Sequence, residues 1–149
     1  MKKALWFSRH APSAAQLAEM AAMGFEIVAQ EDGIRLGAMN LADDGDLNAV
    51  LSALMGLADT HGAEAVFGVF AAPVQECLHR TANDAVQAGE CIKPLTCYAA
   101  WNVQRSADGG KPTFEHRRFC CVGALSDAAL RWVRRSLTRT KTRTRNTGS

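Results

Sequence analysis

The sequence predicts a small Rossmann-like α/β protein: a three-layer sandwich with a mostly parallel sheet, extended by a C-terminal β-hairpin and a final helix. Three observations carry this expectation. Short apolar runs alternate with stretches whose apolar residues recur every three or four positions. The run 65–72 is almost wholly apolar, as in a central parallel strand covered on both faces. Past Pro94 the period changes to alternation, the mark of a strand with one buried face. Strands alternating with helices imply parallel pairing through right-handed crossovers.

Residues 3–8 read as the first strand. Ser13-x-x-Gln16 matches a capping box, so a helix begins near 14, with Leu17, Met20 and Ala21 inward and Gly24 as its stop. Residues 25–30 form a second strand candidate, and Asp32-Gly33 turns the chain into a short extension, "IRLGAMNL". Asp43, Asp44 and Asp46 can cap a helix over 47–60, whose stripe is Leu47, Val50, Leu51, Leu54 and Ala58. The third strand, 64–73, ends at Pro73, which suits the first turn of a helix carried by Val74, Cys77, Leu78, Thr81 and Ala85.

From 95 to 103, Leu95, Cys97, Ala99, Trp101 and Val103 share the apolar parity. "ADGGKP" is a turn, and "TFEHRRFCCVGAL" is the returning strand. Phe114 and Phe119 fall on opposite parities, which points to a bulge or to cover on both faces. A last helix, 126–138, presents Leu130, Val133 and Leu137. Residues 1–138 are thus one domain, and 139–149 read as a basic, low-complexity, disordered tail.

The 149 residues are 48% apolar, enough for one sizeable core. No apolar run approaches the ~20 residues of a membrane span. The N-terminal apolar stretch is too short for a signal peptide, so a cytoplasmic location is expected. Five cysteines, with no C-x-x-C pair, argue for reduced structural thiols rather than disulfides or zinc. Charge is split. Residues 1–125 carry 10 Lys+Arg against 14 Asp+Glu, a net of −4, and residues 126–149 carry 7 against 1, a net of +6. The basic tail can meet nucleic-acid phosphates or simply keep the chain in solution.

Ligands in such sheets bind at the carboxyl ends of strands, where strand order reverses. With order 2-1-3 that point lies between strands 1 and 3. The loops there are "SRHAPS" and "FAAPVQE", and both open a helix. Ser8, Arg9 and His10 are the candidate anion-binding residues, and Ser13, Pro73 and Gln75 are ligand-binding candidates on the same edge. The hairpin adds Asn102, Arg105 and Arg117 as ligand-binding candidates. If the turn closes at Gly109-Gly110, Asn102 faces Arg117 and Gln104 faces Glu115. This polar group can equally be a solvated outer face. No P-loop, dinucleotide fingerprint or G-x-S-x-G elbow is present, and "DGIRLG" has the wrong spacing. The four histidines show no ligand spacing, so neither metal nor cofactor is expected.

"LWFSRHAPSAAQL" resembles the first strand and loop of small CRISPR-associated Rossmann-like (CARF-like) proteins, some of them ring nucleases acting on cyclic oligoadenylate. Phe7, Ser8, Arg9, His10, Pro12, Ser13 and Gln16 carry the match, over about 15 residues. The resemblance implies a homodimer around a symmetric cyclic oligonucleotide and a metal-independent cleavage by a ribose 2′-hydroxyl. Arg9 and helix amides would then hold the phosphate, Ser8 would orient it and His10 would shuttle a proton. The rival expectation is a non-enzymatic accessory protein of a phage or mobile element, using the hairpin and tail.

Overall fold

The computed structural model describes residues 1–87, 95–105, 110 and 113–147, with side chains for all of these except 82–87, 105 and 138–147. The chain runs β1 (Lys2–Phe7), α1 (Ala14–Ala22), β2 (Phe25–Ile27), α2 (Gln30–Gly37), α3 (Asp44–His61), β3 (Ala65–Gly68), α4 (Ala72–Gln87), β4 (Leu95–Arg105), β5 (Thr113–Leu125) and α5 (Asp127–Thr147). The five strands form one sheet in the order β2-β1-β3-β4-β5. The first four are parallel and β5 returns antiparallel to β4. This is the α/β architecture expected from the sequence, with β1 between β2 and β3.

Strand alternation divides the apolar residues between two cores. Leu5, Phe7, Val66, Leu95 and Cys97 point to one side. They meet the α3 stripe Leu47, Val50, Leu51, Leu54 and Ala58, together with Val74, Cys77 and Leu78 of α4 and Ala129, Leu130 and Val133 of α5. Ala4, Trp6, Ala65 and Phe67 point the other way, against Met20 of α1, Phe25 and Phe119. This second core is aromatic. The Phe67 ring stacks on Tyr98 at 4.6 Å and meets Phe119 edge-on at 4.9 Å. Such pairs add about 0.5–1.5 kcal/mol each beyond area burial.

Several expectations are corrected. The stretch read as a turn and extension, from Asp32-Gly33 onward, is the helix α2. Gly33 and Gly37 are not punctuation there. A Cβ at 33 would lie 1.6 Å from the Trp6 carbonyl oxygen, and one at 37 would lie 2.4 Å from the Ser8 carbonyl carbon. The two glycines, one helical turn apart, let α2 press onto the β1 backbone above the level where β2 has ended. The face of α1 is rotated from the expected one. Gln16 and Met20 are buried, whereas Leu17 and Ala21 are exposed. Trp101 keeps the apolar parity of β4 yet is 49% exposed, because β3 ends opposite Ala99 and the sheet narrows there. The last helix continues to Thr147 rather than ending at 138, as no Gly or Pro interrupts it before Gly148. The hairpin register differs too. Trp101 pairs with Arg118, but Asn102 pairs with His116 and Gln104 with Phe114. Arg117 is the extra residue of a β-bulge, so it does not face Asn102. A second irregularity, between Cys97 and Tyr98, leaves Val122 as another extra residue. The turn "ADGGKP" falls mostly outside the described residues, as does Cys91.

Candidate functional site

β1 and β3 end at one level. Phe7 pairs with Gly68, and the Val69 N–H donates to the Phe7 carbonyl at 2.9 Å. A Cβ at 68 would lie 1.9 Å from that carbonyl oxygen, so glycine is what allows the two strand ends to close up. From β1 the chain passes to β2 on one side, and from β3 to β4 on the other. The reversal of strand order therefore falls between the loops that follow β1 and β3.

The β1 loop is tied down from below. Trp6, wholly buried, donates from Nε1–H to the His10 carbonyl at 2.8 Å. The His10 N–H donates to Ser8 Oγ at 3.2 Å. Ser8 is only 6% exposed, while Arg9 and His10 lie at the surface. The loop backbone is thus hydrogen-bonded to Trp6 and Ser8, and two side chains lie outward. Beyond it Ser13 and Gln16 form the capping box: Ser13 N–H donates to Gln16 Oε1 at 2.9 Å, and Gln16 N–H to Ser13 Oγ at 3.2 Å. Ser13 is therefore engaged as a helix cap.

The β3 loop offers less. Val74 and Gln75 N–H groups donate to the Ala71 carbonyl, and Pro73 has none to give. Gln75 Nε2 donates to the Phe70 carbonyl at 3.0 Å, bracing the loop. Beside Pro73 lies a cavity of about 150 Å³ bordered by Leu41, Ala42, Asp43, Asp44 and Leu47. Asp43 caps α3 by accepting the Asp46 N–H, and Asp46 in turn accepts the Ala42 N–H. Carboxylates on this side repel an anion, so the positive end of the edge is the β1 loop. Two larger cavities, of about 390 and 310 Å³, lie at the opposite end of the sheet around Glu64 and Leu95. Neither touches the strand-order reversal.

Part of the hairpin reaches the same wall as the β1 loop. Phe119 meets the Trp6 ring edge-on at 6.3 Å, and the His116 ring lies 4.7 Å from Phe119. Glu19 of α1 anchors this corner. Its Oε1 lies 2.6 Å from His116 Nε2, and its Oε2 accepts the Phe119 N–H at 3.0 Å. A carboxylate accepts, so Nε2 carries the proton in this contact. Nδ1 is buried with no hydrogen-bond partner among the described residues, and the His116 side chain is 5% exposed. Asn102 and Arg117 are exposed on the neighbouring strands, and the backbone of Arg105 lies at the end of β4. Trp101 and Arg118 belong to the other side of the sheet, with the guanidinium 5.3 Å from the indole ring centre.

The sequence placed Ser8, Arg9 and His10 together, and the structure keeps them at one strand end. Pro73 and Gln75 lie in the first turn of α4, where the Gln75 side chain is bonded to the Phe70 carbonyl. The sequence reading missed Trp6 and Glu19. Glu19 carried one signal, as the lone charged residue in the otherwise uncharged "AAQLAEMAA". Among the described residues no three His, Cys, Asp or Glu side chains converge as a metal set, and no helix is long and apolar enough to cross a membrane. Comparison with family models, curated proteins and solved structures finds no match.

Proposed function

We propose that this chain binds a nucleotide or another phosphate-bearing ligand at the end of β1, with Arg9 as its charged contact. One observation supports the reading above the others. The Trp6–His10–Ser8 bonds hold Arg9 outward at the point of strand-order reversal. A guanidinium offers two parallel N–H donors that match a phosphate. Ser8 Oγ accepts from His10, so its own proton remains available as a donor. The amides of Ala14 and Ala15 lie outside the capping box and add the helix N-terminal field. Asn102, Arg105 and Arg117 would meet the far end of a longer ligand.

Cyclic oligoadenylate is the ligand that the resemblance of the first strand and loop suggests, bound by a cytoplasmic homodimer. In that reaction a ribose 2′-oxygen forms a bond to the adjacent phosphorus and the P–O5′ bond breaks. The 2′-hydroxyl proton ends on the departing 5′-oxygen, with His10 as the carrier. The protein's part is orientation and charge stabilisation, neither of which requires a metal. A thermal-shift series with adenosine monophosphate and cyclic oligoadenylates tests binding, and chromatography of the incubated ligand tests cleavage. A rise in Tm that Arg9→Ala removes supports the reading. No shift with any phosphate ligand overturns it, whereas a shift without product keeps the binding and removes the nuclease step. The rival reading, a non-enzymatic accessory protein, draws support from Trp101 and Phe114, which is 70% exposed on the hairpin.

A further inference from the structure

We infer that α5 is a nucleic-acid-binding helix that grips the sugar–phosphate backbone along its basic stretch, with Trp101 of β4 as an adjoining stacking face. The inference is independent of the β1 loop. Among the described side chains of α5, the core ones lie at its start. Ala129, Leu130 and Val133 are buried, and Cys77 Sγ lies 3.7 Å from the Ala129 carbonyl. Arg131, Arg134 and Arg135 are exposed. Beyond Leu137 the sequence "TRTKTRTRNT" has no apolar residue, yet the backbone stays helical to Thr147.

A helix in a folded protein is normally held by packing of an apolar face, and this stretch has none. Its charges also oppose it. Arg135, Arg139 and Arg143 recur every fourth residue, where like charges destabilise a helix by a few tenths of a kcal/mol per pair. From 131 to 145 there are seven Lys or Arg residues and no acid. A partner that relieves this must carry many negative charges in a line. The basic stretch extends ~21 Å at 1.5 Å per residue, a span over which a nucleic-acid strand presents a phosphate every few ångströms. Thr138, Thr140, Thr142 and Thr144 interleave with the cations and supply hydroxyl donors of the kind that contact phosphates. An interfacial membrane helix needs an apolar face, which is missing past Leu137. Trp101 shares the parity of Leu95 and Cys97, so it faces the side of the sheet on which α5 packs. Its indole is half exposed beneath Arg118, a pairing suited to stacking a base of a single strand.

The test uses the full chain and fluorescein-labelled oligonucleotides of about 20 residues, single-stranded RNA, single-stranded DNA and duplex DNA, read by anisotropy across a salt series. Binding should weaken log-linearly with salt. Replacing Arg139, Lys141, Arg143 and Arg145 by Gln removes no apolar residue, so Tm should hold. Affinity at low salt should fall at least tenfold, and the single-strand slope should drop by about 3, at ~0.7 per lost charge. Trp101→Ala should weaken the single strands several-fold and leave the duplex unchanged. The inference fails if no oligonucleotide binds at low salt, or if the four-Gln variant binds like the parent. It also fails if poly-glutamate or phosphatidylserine vesicles compete as well as nucleic acid at equal charge, since the partner would then be another class of polyanion.

Discussion

Glu19 is worth more than its place in a nine-residue helix suggests. It satisfies His116 Nε2–H and the Phe119 N–H of an edge strand with one carboxylate. The Phe119 N–H would otherwise be an unpaired strand-edge donor, the kind of group that recruits foreign strands. Glu19→Ala leaves both donors without their acceptor, at a cost of about 1–3 kcal/mol, since water reaches the partly exposed carboxylate position. Glu19→Gln keeps one acceptor and should lose less. Urea midpoints of the two variants check the ranking, and equal stability of Glu19→Ala and the parent would refute the anchor. Arg9 behaves oppositely. Among the described residues no hydrogen bond or ion pair of its exposed side chain holds the fold, so Arg9→Ala should leave the urea midpoint within about 0.5 kcal/mol of the parent while abolishing the proposed phosphate-ligand binding. A substitution that silences binding and lowers stability together would place Arg9 in the scaffold instead.

At the scale of elements, α2 sets two effects against each other. Helix propensity alone makes Gly33→Ala or Gly37→Ala stabilising by about 1 kcal/mol. The added methyl, however, would stand 1.6 Å from the Trp6 carbonyl oxygen in one case and 2.4 Å from the Ser8 carbonyl carbon in the other. Both obstacles are backbone and cannot rotate away, so overpacking wins. Each variant should lose about 1–3 kcal/mol, and Gly37→Ala should also weaken the proposed ligand binding by shifting Ser8. Thermal melts decide the sign, and a raised Tm would defeat the close-packing account. The same helix shows where sequence reasoning stops. Ser13-x-x-Gln16 and the α3 stripe were legible because capping and 3.6-residue periodicity are local. Gly33 and Gly37 read as turn signals because only the neighbouring strand reveals why a side chain is excluded. The Arg–His pair at the strand end was legible from polarity at a β–α junction. The Trp6 tether and the bulge that displaces Arg117 were not, since both depend on contacts across the sheet.

The whole molecule divides its charge, with a net of −4 before residue 126 and +6 from there on, and buries two of its thiols. The described cysteines are unbridged, and Cys77 and Cys97 are buried between the sheet and its larger helical layer. Burial, aided by the neighbouring Glu76 charge, pushes the Cys77 thiol up to about 11 from its ordinary 9.0. Burial pushes Cys97 to about 12, against a backbone hydrogen bond at Leu125 that lowers it. Below pH 9.0 both thiols are protonated in the folded and unfolded chain, and stability does not depend on them. Above it the unfolded chain releases these protons while the fold retains them. The folded state then binds more protons, so stability falls as pH rises, by about 1.4 kcal/mol per unit for each thiol until its folded value is reached. Urea midpoints should therefore be flat from neutral pH to about 9 and decline beyond it. Other groups titrate in that range, so a Cys77→Ala/Cys97→Ala variant serves as the reference. It should start less stable, from lost packing, but decline less steeply through the alkaline range. Identical alkaline slopes in parent and variant would show that the buried thiols do not set the high-pH limit of the fold.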